Sequence, residues 1–144
     1  MKAFILGSLL SMIFMASGFG AIGDDEKKIE ARYGQPGKDL GTHGEVHSVG
    51  YAAGGFVIVV DFVKGISQRE AFANPDTSAL TPEAIQKILY VCGTEGTKWD
   101  EKPGEAGEKN WLRSDNKAVA ILPTPGKFLY VQDVTFVPPK KEGG

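Results

Sequence analysis

The segment Phe56–Val63 constrains the fold more than any other part of the chain, because it is apolar on both of its faces. In an extended strand, successive side chains point to opposite sides, so the even-numbered residues share one face and valines occupy most of the other. Such a strand predicts a central place in a sheet, with both faces covered. The next two residues, Lys64–Gly65, predict a tight turn, after which residues 66–72 return as an antiparallel strand.

The hydrophobic fraction of the chain, 42% of 144 residues, is enough for one core and one domain. We expect that domain to cover residues 21–137, in halves of roughly 24–73 and 80–137, and to end in a flexible tail over 138–144. The 16 basic and 18 acidic side chains give a formal net charge of -2. This balance creates no strong field, and we expect no nucleic-acid partner.

The N-terminus has the three parts of a secretory signal peptide. A positive start at Lys2 is followed by an uncharged apolar run over 3–16 and by small residues over 17–21. We expect residues 1–20 to be removed, with cleavage after Gly20, and the mature protein to be secreted or periplasmic. The apolar run is shorter than the roughly 20 residues that a membrane-spanning helix needs, so no stable membrane span is expected.

Two short helices are predicted, each followed by strands. The first covers 24–33 and ends at Gly34, and the second begins after Thr81, a helix-capping residue, with Pro82 in its first turn. The β patterns that follow each helix predict three strands in each half. This order predicts an α+β fold of two tandem αβββ units, with an antiparallel sheet and helices packed on one face. A single meander with two unrelated helices is the alternative.

Two short motifs resemble a pattern in small exported bacterial domains. One runs from Ile29 to Pro36 (I-x-x-R-Y-G-x-P), and the other is the strand end Val60–Gly65. They are similar to motifs of β-lactamase-inhibitor-protein-like domains and of small outer-membrane assembly lipoproteins of the SmpA/OmlA type, and the chain also resembles uncharacterised secreted bacterial proteins. The resemblance covers the first half, and the second half by element order. It implies a binding or scaffold role outside the cytoplasm and no catalytic residue; the lipoproteins' lipid-attachment cysteine is absent.

The segment His43–His47 contains both histidines of the chain. The candidate metal ligands are His43, Glu45 and His47. Alternate residues of an extended strand are roughly 7 Å apart, so the two histidines would stand about 13 Å apart and could not share one ion without a bend. We therefore expect solvated loop residues here, no metal and no cofactor, and metal handling is an alternative function.

Two further side chains invite a catalytic interpretation, and neither supports one. Cys92 lies on the apolar face of the second helix near its C-terminus, where burial and the negative end of the helix dipole both disfavour a thiolate. Asp61 interrupts the strongest strand, where we expect it to pair with Lys64 or Arg69 or to lie at a sheet edge. No serine–histidine–aspartate set is predicted. We expect no enzymatic activity, and a small secreted hydrolase that uses Asp61 or the histidine segment is the alternative.

Aromatic residues on strands supply the candidate binding surface, which consists of Tyr51, Trp99, Trp111 and Tyr130. Such residues usually belong to the core, but a sheet with one open face can display them, and aromatic side chains dominate the binding energy of protein interfaces. The sequence therefore predicts an exported, non-enzymatic binding or scaffold domain whose partner is another extracytoplasmic protein. The specific partner and the oligomeric state do not follow from the sequence.

Overall fold

The computed structural model describes residues 22–140. The predicted signal peptide, residues 1–20, and the end of the predicted tail, residues 141–144, lie outside the described residues. Within the described range, no helix has the length and apolar character needed to cross a membrane.

Two helices and eight strands follow one another along this range. Their bounds are α1 Glu26–Tyr33, β1 Lys38–His43, β2 Val46–Ala53, β3 Phe56–Val63, β4 Ile66–Ala73, α2 Pro82–Val91, β5 Trp99–Pro103, β6 Lys109–Arg113, β7 Ala118–Leu122 and β8 Phe128–Asp133.

The strands form a single antiparallel sheet of eight strands in the order β1-β2-β3-β4-β8-β7-β6-β5. Each half of the chain contributes a four-stranded meander. The two meanders join where β4 pairs with β8, with Ala71 opposite Tyr130 and Phe72 opposite Leu129. A single sheet therefore runs through both halves of the chain.

The predicted fold class, an α+β arrangement of two tandem αβββ units with packed helices, is wrong. The described residues form mostly one eight-stranded antiparallel sheet, and the two helices among them contain only 8 and 10 residues. Each half has a fourth strand, β1 or β5, in addition to the three that the sequence predicts. Both of these strands lie at the edges of the sheet and are almost entirely exposed. They lack the alternation of apolar and polar residues that a half-buried strand shows.

Each helix begins at a side chain that caps its first turn. Asp25 accepts a hydrogen bond from the backbone N–H of Lys28 at 2.9 Å. Thr81 accepts one from the backbone N–H of Ala84 at 3.1 Å, as its predicted capping role requires. These bonds satisfy N–H groups that the start of a helix leaves without a partner in the helix. The first helix ends as predicted at Gly34, which has a φ of 94°.

The core lies on one face of the sheet, which we name the buried face. The even-numbered residues of β3 are all on this face and are at most 6% exposed, as their alternation predicts. Residues of both helices belong to the same buried cluster: Ile29 and Tyr33 from α1, and Ile85, Ile88 and Leu89 from α2. The helices therefore cover the sheet from the same side.

The other face of β3 does not have the cover that its apolar sequence predicted. Val57 is 41% exposed, and Val59 and Val63 are half-buried. The strand is internal, since β2 and β4 flank it, but neither helix reaches its second face. In the described structure, this apolar face therefore has no helix over it.

Candidate functional site

Opposite the buried face, the sheet carries a row of apolar and aromatic side chains that neither helix covers. The strand register places four of them side by side on β3, β4, β8 and β7: Val59, Ala71, Tyr130 and Ile121. Val57 and Phe128 extend the row and are 41% and 42% exposed. We name these six residues the open face. The other four residues are half-buried, and a contiguous apolar patch that is partly exposed in this way is typical of an interaction site.

An ion pair with a buried carboxylate and a partly exposed guanidinium lies beside this row, in the middle of the sheet. Arg69 on β4 binds Asp61 on β3 through Nε and Nη2, each 2.8 Å from Oδ2 of the aspartate. The hydroxyl of Ser48 donates to Oδ1 of Asp61 at 2.6 Å. Asp61 is only 4% exposed, and its pairing with Arg69 is one of the arrangements expected from the sequence. Because the opposite charges are paired, the centre of this side of the sheet carries no net charge.

Two aromatic rings hold the arginine of that pair in place. The guanidinium carbon of Arg69 lies 5.3 Å from the ring centre of Tyr130 and 5.3 Å from that of Phe136. Cation–π contacts of this length are attractive, most of all where water is excluded. Together with the bonds to Asp61, they fix the orientation of a side chain that is 22% exposed. Arg69 is thus a rigid, partly accessible hydrogen-bond donor at the margin of the open face.

The two edges of the sheet are poorly suited to pairing with another strand. The pairing of β1 with β2 shifts register between Asp39 and Gly41. At the other edge, β5 has the sequence WDEKP, with three consecutive charged residues before Pro103. Bulges, charges and proline are the devices by which natural sheets block edge-to-edge pairing. A protein partner therefore has easier access to the face of the sheet than to its edges.

The structure separates the four residues of the predicted binding surface. Tyr51 and Trp111 lie in the core on the buried face, where they are 4% and 6% exposed. Trp99 also packs against that cluster and is half-buried. Tyr130 alone of the four belongs to the open face. Partner contacts by these residues stay a prediction, but the sheet does not bring them together.

A cleft of about 620 Å³ lies where the end of α2 passes β5 and β6. Trp99 and Trp111 line it together with Tyr90, which is 58% exposed. The indole N–H of Trp99 donates to the backbone carbonyl of Leu89 at 2.7 Å, which fixes the ring against the helix. Two of the predicted aromatic residues therefore share one cleft on the helix side of the sheet.

The candidate metal ligands do not form one site. The ring of His47 lies between two carboxylates, with Nε2 3.0 Å from Asp39 and Nδ1 3.6 Å from Glu26. His43 and Glu45 instead line a separate depression at the hairpin end of the sheet. Hydrogen bonds from the Gly41 N–H and from His47 lower the pKa of Asp39. Over residues 22–140, no group of three or more histidine, cysteine, aspartate or glutamate side chains could hold a metal ion.

The hydrolase alternative gains no assembled catalytic set from this geometry. Ser48 and Asp61 are hydrogen-bonded, but the second oxygen of the carboxylate is occupied by Arg69. The ring of His47 bonds Asp39 rather than Asp61. A serine nucleophile needs a histidine base within hydrogen-bond reach, and this network contains none.

A buried acidic group, Glu70, was missed by the sequence reasoning. It lies on β4 beneath α1, is completely buried, and accepts a hydrogen bond from the hydroxyl of Tyr33. Its second oxygen has no hydrogen-bond partner in the described part of the chain. Burial raises the pKa of this carboxyl to about 7, while the bond from Tyr33 and the charge of Arg32 oppose the rise. Its alternation with Phe72, two residues later, is the signal that could have placed it on the buried face.

Cys92 is completely buried, as its position on the apolar face of the helix predicts. Burial, and then the negative charge of Glu70, raise the pKa of its thiol. A thiol that stays protonated and lies away from solvent is a poor nucleophile. Neither Cys92 nor Glu70 opens onto a surface where a substrate could reach it.

Comparisons with known proteins give distant similarities. No protein-family model matches the chain. Myrosinase-binding protein 1 of Arabidopsis thaliana is 29% identical over 97 residues, which are 67% of this chain but only 18% of that protein's length. A solved structure of a DUF4309 family protein (YjgB) from Bacillus subtilis subsp. subtilis str. 168 is similar with a TM-score of 0.38 and 11% identity, over 76% of this chain and 78% of that one.

These similarities do not establish a family. The resemblance to β-lactamase-inhibitor-protein-like domains is not shown by them and stays a prediction.

Proposed function

We propose that the protein is an exported, non-enzymatic binding protein that takes another folded protein on its open face. The observation that carries this proposal is an apolar row across four neighbouring strands that neither helix covers. Export rests on the leader-like sequence of residues 1–20. The printed name of the Arabidopsis relative, a binding protein, is compatible with this function.

The size of the sheet suits a protein partner. Seven gaps of about 4.8 Å between strands give a width of about 34 Å, and strands of this length measure about 17–26 Å. The resulting area of about 600–900 Å² covers all eight strands, whereas the open face occupies the four strands β3, β4, β8 and β7. A partner that buries the roughly 800 Å² typical of each side of a stable complex would therefore also contact the strands beside the open face. A small ligand would contact only a fraction of it.

The hydrogen-bonding groups favour a different protein over a second copy of this chain. Arg69 lies on β4, one of the two central strands, and its charge is already paired with Asp61. A two-fold pairing of open faces would set two such arginines opposite each other near the axis, where neither offers an acceptor for the remaining N–H groups of the other. A partner with an apolar patch and a carbonyl or carboxylate oxygen opposite Arg69 would satisfy the remaining N–H donors of this side chain.

Surface substitutions test this proposal without disturbing the core. Val57→Glu and Phe128→Glu each place a charge on the open face, and Tyr90→Glu places the same charge on the opposite side of the sheet. The mature chain and the three variants are immobilised and exposed to the extracytoplasmic proteins of the source organism, and the dissociation constant of any retained protein is then measured. We expect one protein to bind wild type and Tyr90→Glu equally, and to bind both open-face variants at least about tenfold more weakly.

Equal binding to all four chains would refute the proposed surface. A second copy as the occupant is detected by light scattering on the purified chain. A dimer that Val57→Glu and Phe128→Glu dissociate would keep the open face as the interface but overturn the proposed partner.

A further inference from the structure

The cleft between α2, β5 and β6 has the shape and lining of a small-molecule site. Its volume of about 620 Å³ falls within the roughly 300–1,000 Å³ of typical ligand sites. It lies on the helix side of the sheet, because Glu101 pairs with the core residue Trp111 and cross-strand partners share a face. It is therefore separate from the open face and does not depend on the function proposed for that surface.

The aromatic wall of this cleft is held rigidly. The indole of Trp99 is fixed on one edge by its bond to the Leu89 carbonyl, and the guanidinium carbon of Arg113 lies 6.0 Å from its ring centre. Arg113 is itself 5% exposed and donates to the Cys92 carbonyl at 3.1 Å and to Asp115 at 2.9 Å. An aromatic surface that is already ordered loses little conformational entropy when a ligand stacks on it.

The rest of the lining combines the aromatic ring of Tyr90 with side chains that donate hydrogen bonds and side chains that accept them. Tyr90 is mostly exposed, and Gln86, Lys98 and Glu101 bring an amide, an ammonium group and a carboxylate to the cleft. The two charges cancel, so the cleft favours neither an anion nor a cation. The complementary ligand is neutral, has a flat apolar face, and carries hydrogen-bond donors and acceptors around its edge. A pyranose ring meets these requirements, because its C–H groups form an apolar face and its hydroxyls lie around the ring.

We infer that this cleft binds a neutral pyranose oligosaccharide, with a sugar ring against Trp99 and Tyr90 and its hydroxyls bonded to Gln86 and Glu101. The carboxylate would accept hydrogen bonds from hydroxyl groups, and the amide would both donate and accept. The bonds to the carboxylate are charge-assisted and therefore stronger than the bonds between neutral groups.

Tryptophan fluorescence tests the inference directly, because the chain has 2 tryptophans and both line the cleft. The purified mature chain is titrated to millimolar concentration with three neutral probes: cellotetraose, maltotetraose and the tetramer of N-acetylglucosamine. We expect a saturable change in the emission with at least one of them. The absence of a saturable change with all three would overturn the inference.

Two variants and a control then locate the binding. Tyr90→Ala and Glu101→Gln alter exposed side chains, so both variants should fold. Each should lower the affinity for the oligosaccharide that binds at least about tenfold. Val57→Ala, on the open face, should leave the affinity for that oligosaccharide unchanged. Equal affinity in wild type, Tyr90→Ala and Glu101→Gln would overturn the assignment to this cleft. Loss of sugar binding with the protein partner still bound would leave the proposed function standing.

Discussion

Replacing Glu70 with glutamine should make the stability of the protein much less dependent on pH. The carboxyl group is completely buried, and burial raises its pKa from 4.5 to about 7. The folded chain therefore keeps a proton on Glu70 at pH values at which the unfolded chain has lost it. Glutamine has nearly the same shape, does not titrate, and can still accept the hydrogen bond of the Tyr33 hydroxyl.

The sign and size of the effect follow from proton linkage. A carboxyl whose pKa is raised by folding contributes its stability fully below the unfolded pKa, and that contribution is lost as the pH rises through the folded pKa. The rise from 4.5 to about 7 corresponds to about 3 kcal/mol, at about 1.4 kcal/mol for each pKa unit. Relative to Glu70→Gln, wild type should lose about 3 kcal/mol of unfolding free energy between pH 4.5 and about pH 8.

Urea unfolding of both chains, followed by circular dichroism across this pH range, measures the difference. Groups that titrate equally in the two chains cancel in the comparison. Glu83→Gln, at an exposed position in α2, is the matched control and should parallel wild type. Stability curves of wild type and Glu70→Gln that stay parallel from pH 4.5 to about pH 8 would refute the reasoning.

Three further predictions concern other contacts. Arg69→Met should lower the unfolding free energy by about 3–5 kcal/mol, because it leaves Asp61 buried without its cation. The double variant with Asp61→Leu should recover most of this loss in urea denaturation. Equal instability of the single and the double variant would contradict this prediction. Thr81→Ala should lower the unfolding free energy in urea by about 1 kcal/mol by removing the cap of α2, whereas Thr81→Ser, which keeps the capping hydroxyl, should change it little; equal losses in the two variants would contradict the capping role. Cys92 should react with a thiol reagent only after unfolding, and fast labelling of the native chain would show that the end of the second helix is not packed into the core.

Local patterns predicted the parts of the sheet that are buried on one side. In β3, alternate residues place the aromatic and branched side chains on the buried face, and the turn at Lys64–Gly65 reverses the chain as expected. Burial requires a periodic pattern, so the pattern is readable from the residues alone. The two helices were equally readable, because their caps and stops are encoded within a few residues.

The edge strands could not be predicted in the same way. The strand β1 is exposed along its whole length, and β5 consists mainly of charged residues. A strand without a buried face has no alternation to detect, and what orders it is the hydrogen-bonding edge of its neighbour. Missing both strands led to the wrong fold class.

The candidate site was only partly predictable because it depends on strand pairing between distant segments. The pairing of β4 with β8 brings Tyr130 beside Ala71 and near Arg69, although the segments are far apart in sequence. The sequence identified Tyr130 as a binding candidate and Arg69 as a partner of Asp61, but it contains no local signal that would unite them. Tertiary packing likewise determines which side of the sheet the helices cover, and this packing buries Tyr51 and Trp111.

The central claim is that one face of the sheet is accessible to a partner, while the other face is buried beneath the two helices. Adjacent residues of β3 test it most directly, because Val57 is 41% exposed and Ile58 is completely buried. A thiol reagent should label Val57→Cys in the folded chain nearly as fast as in the unfolded chain, and it should label Ile58→Cys only as fast as the protein opens. Equally slow labelling at the two positions would contradict the account, since it would mean that the supposed open face is covered.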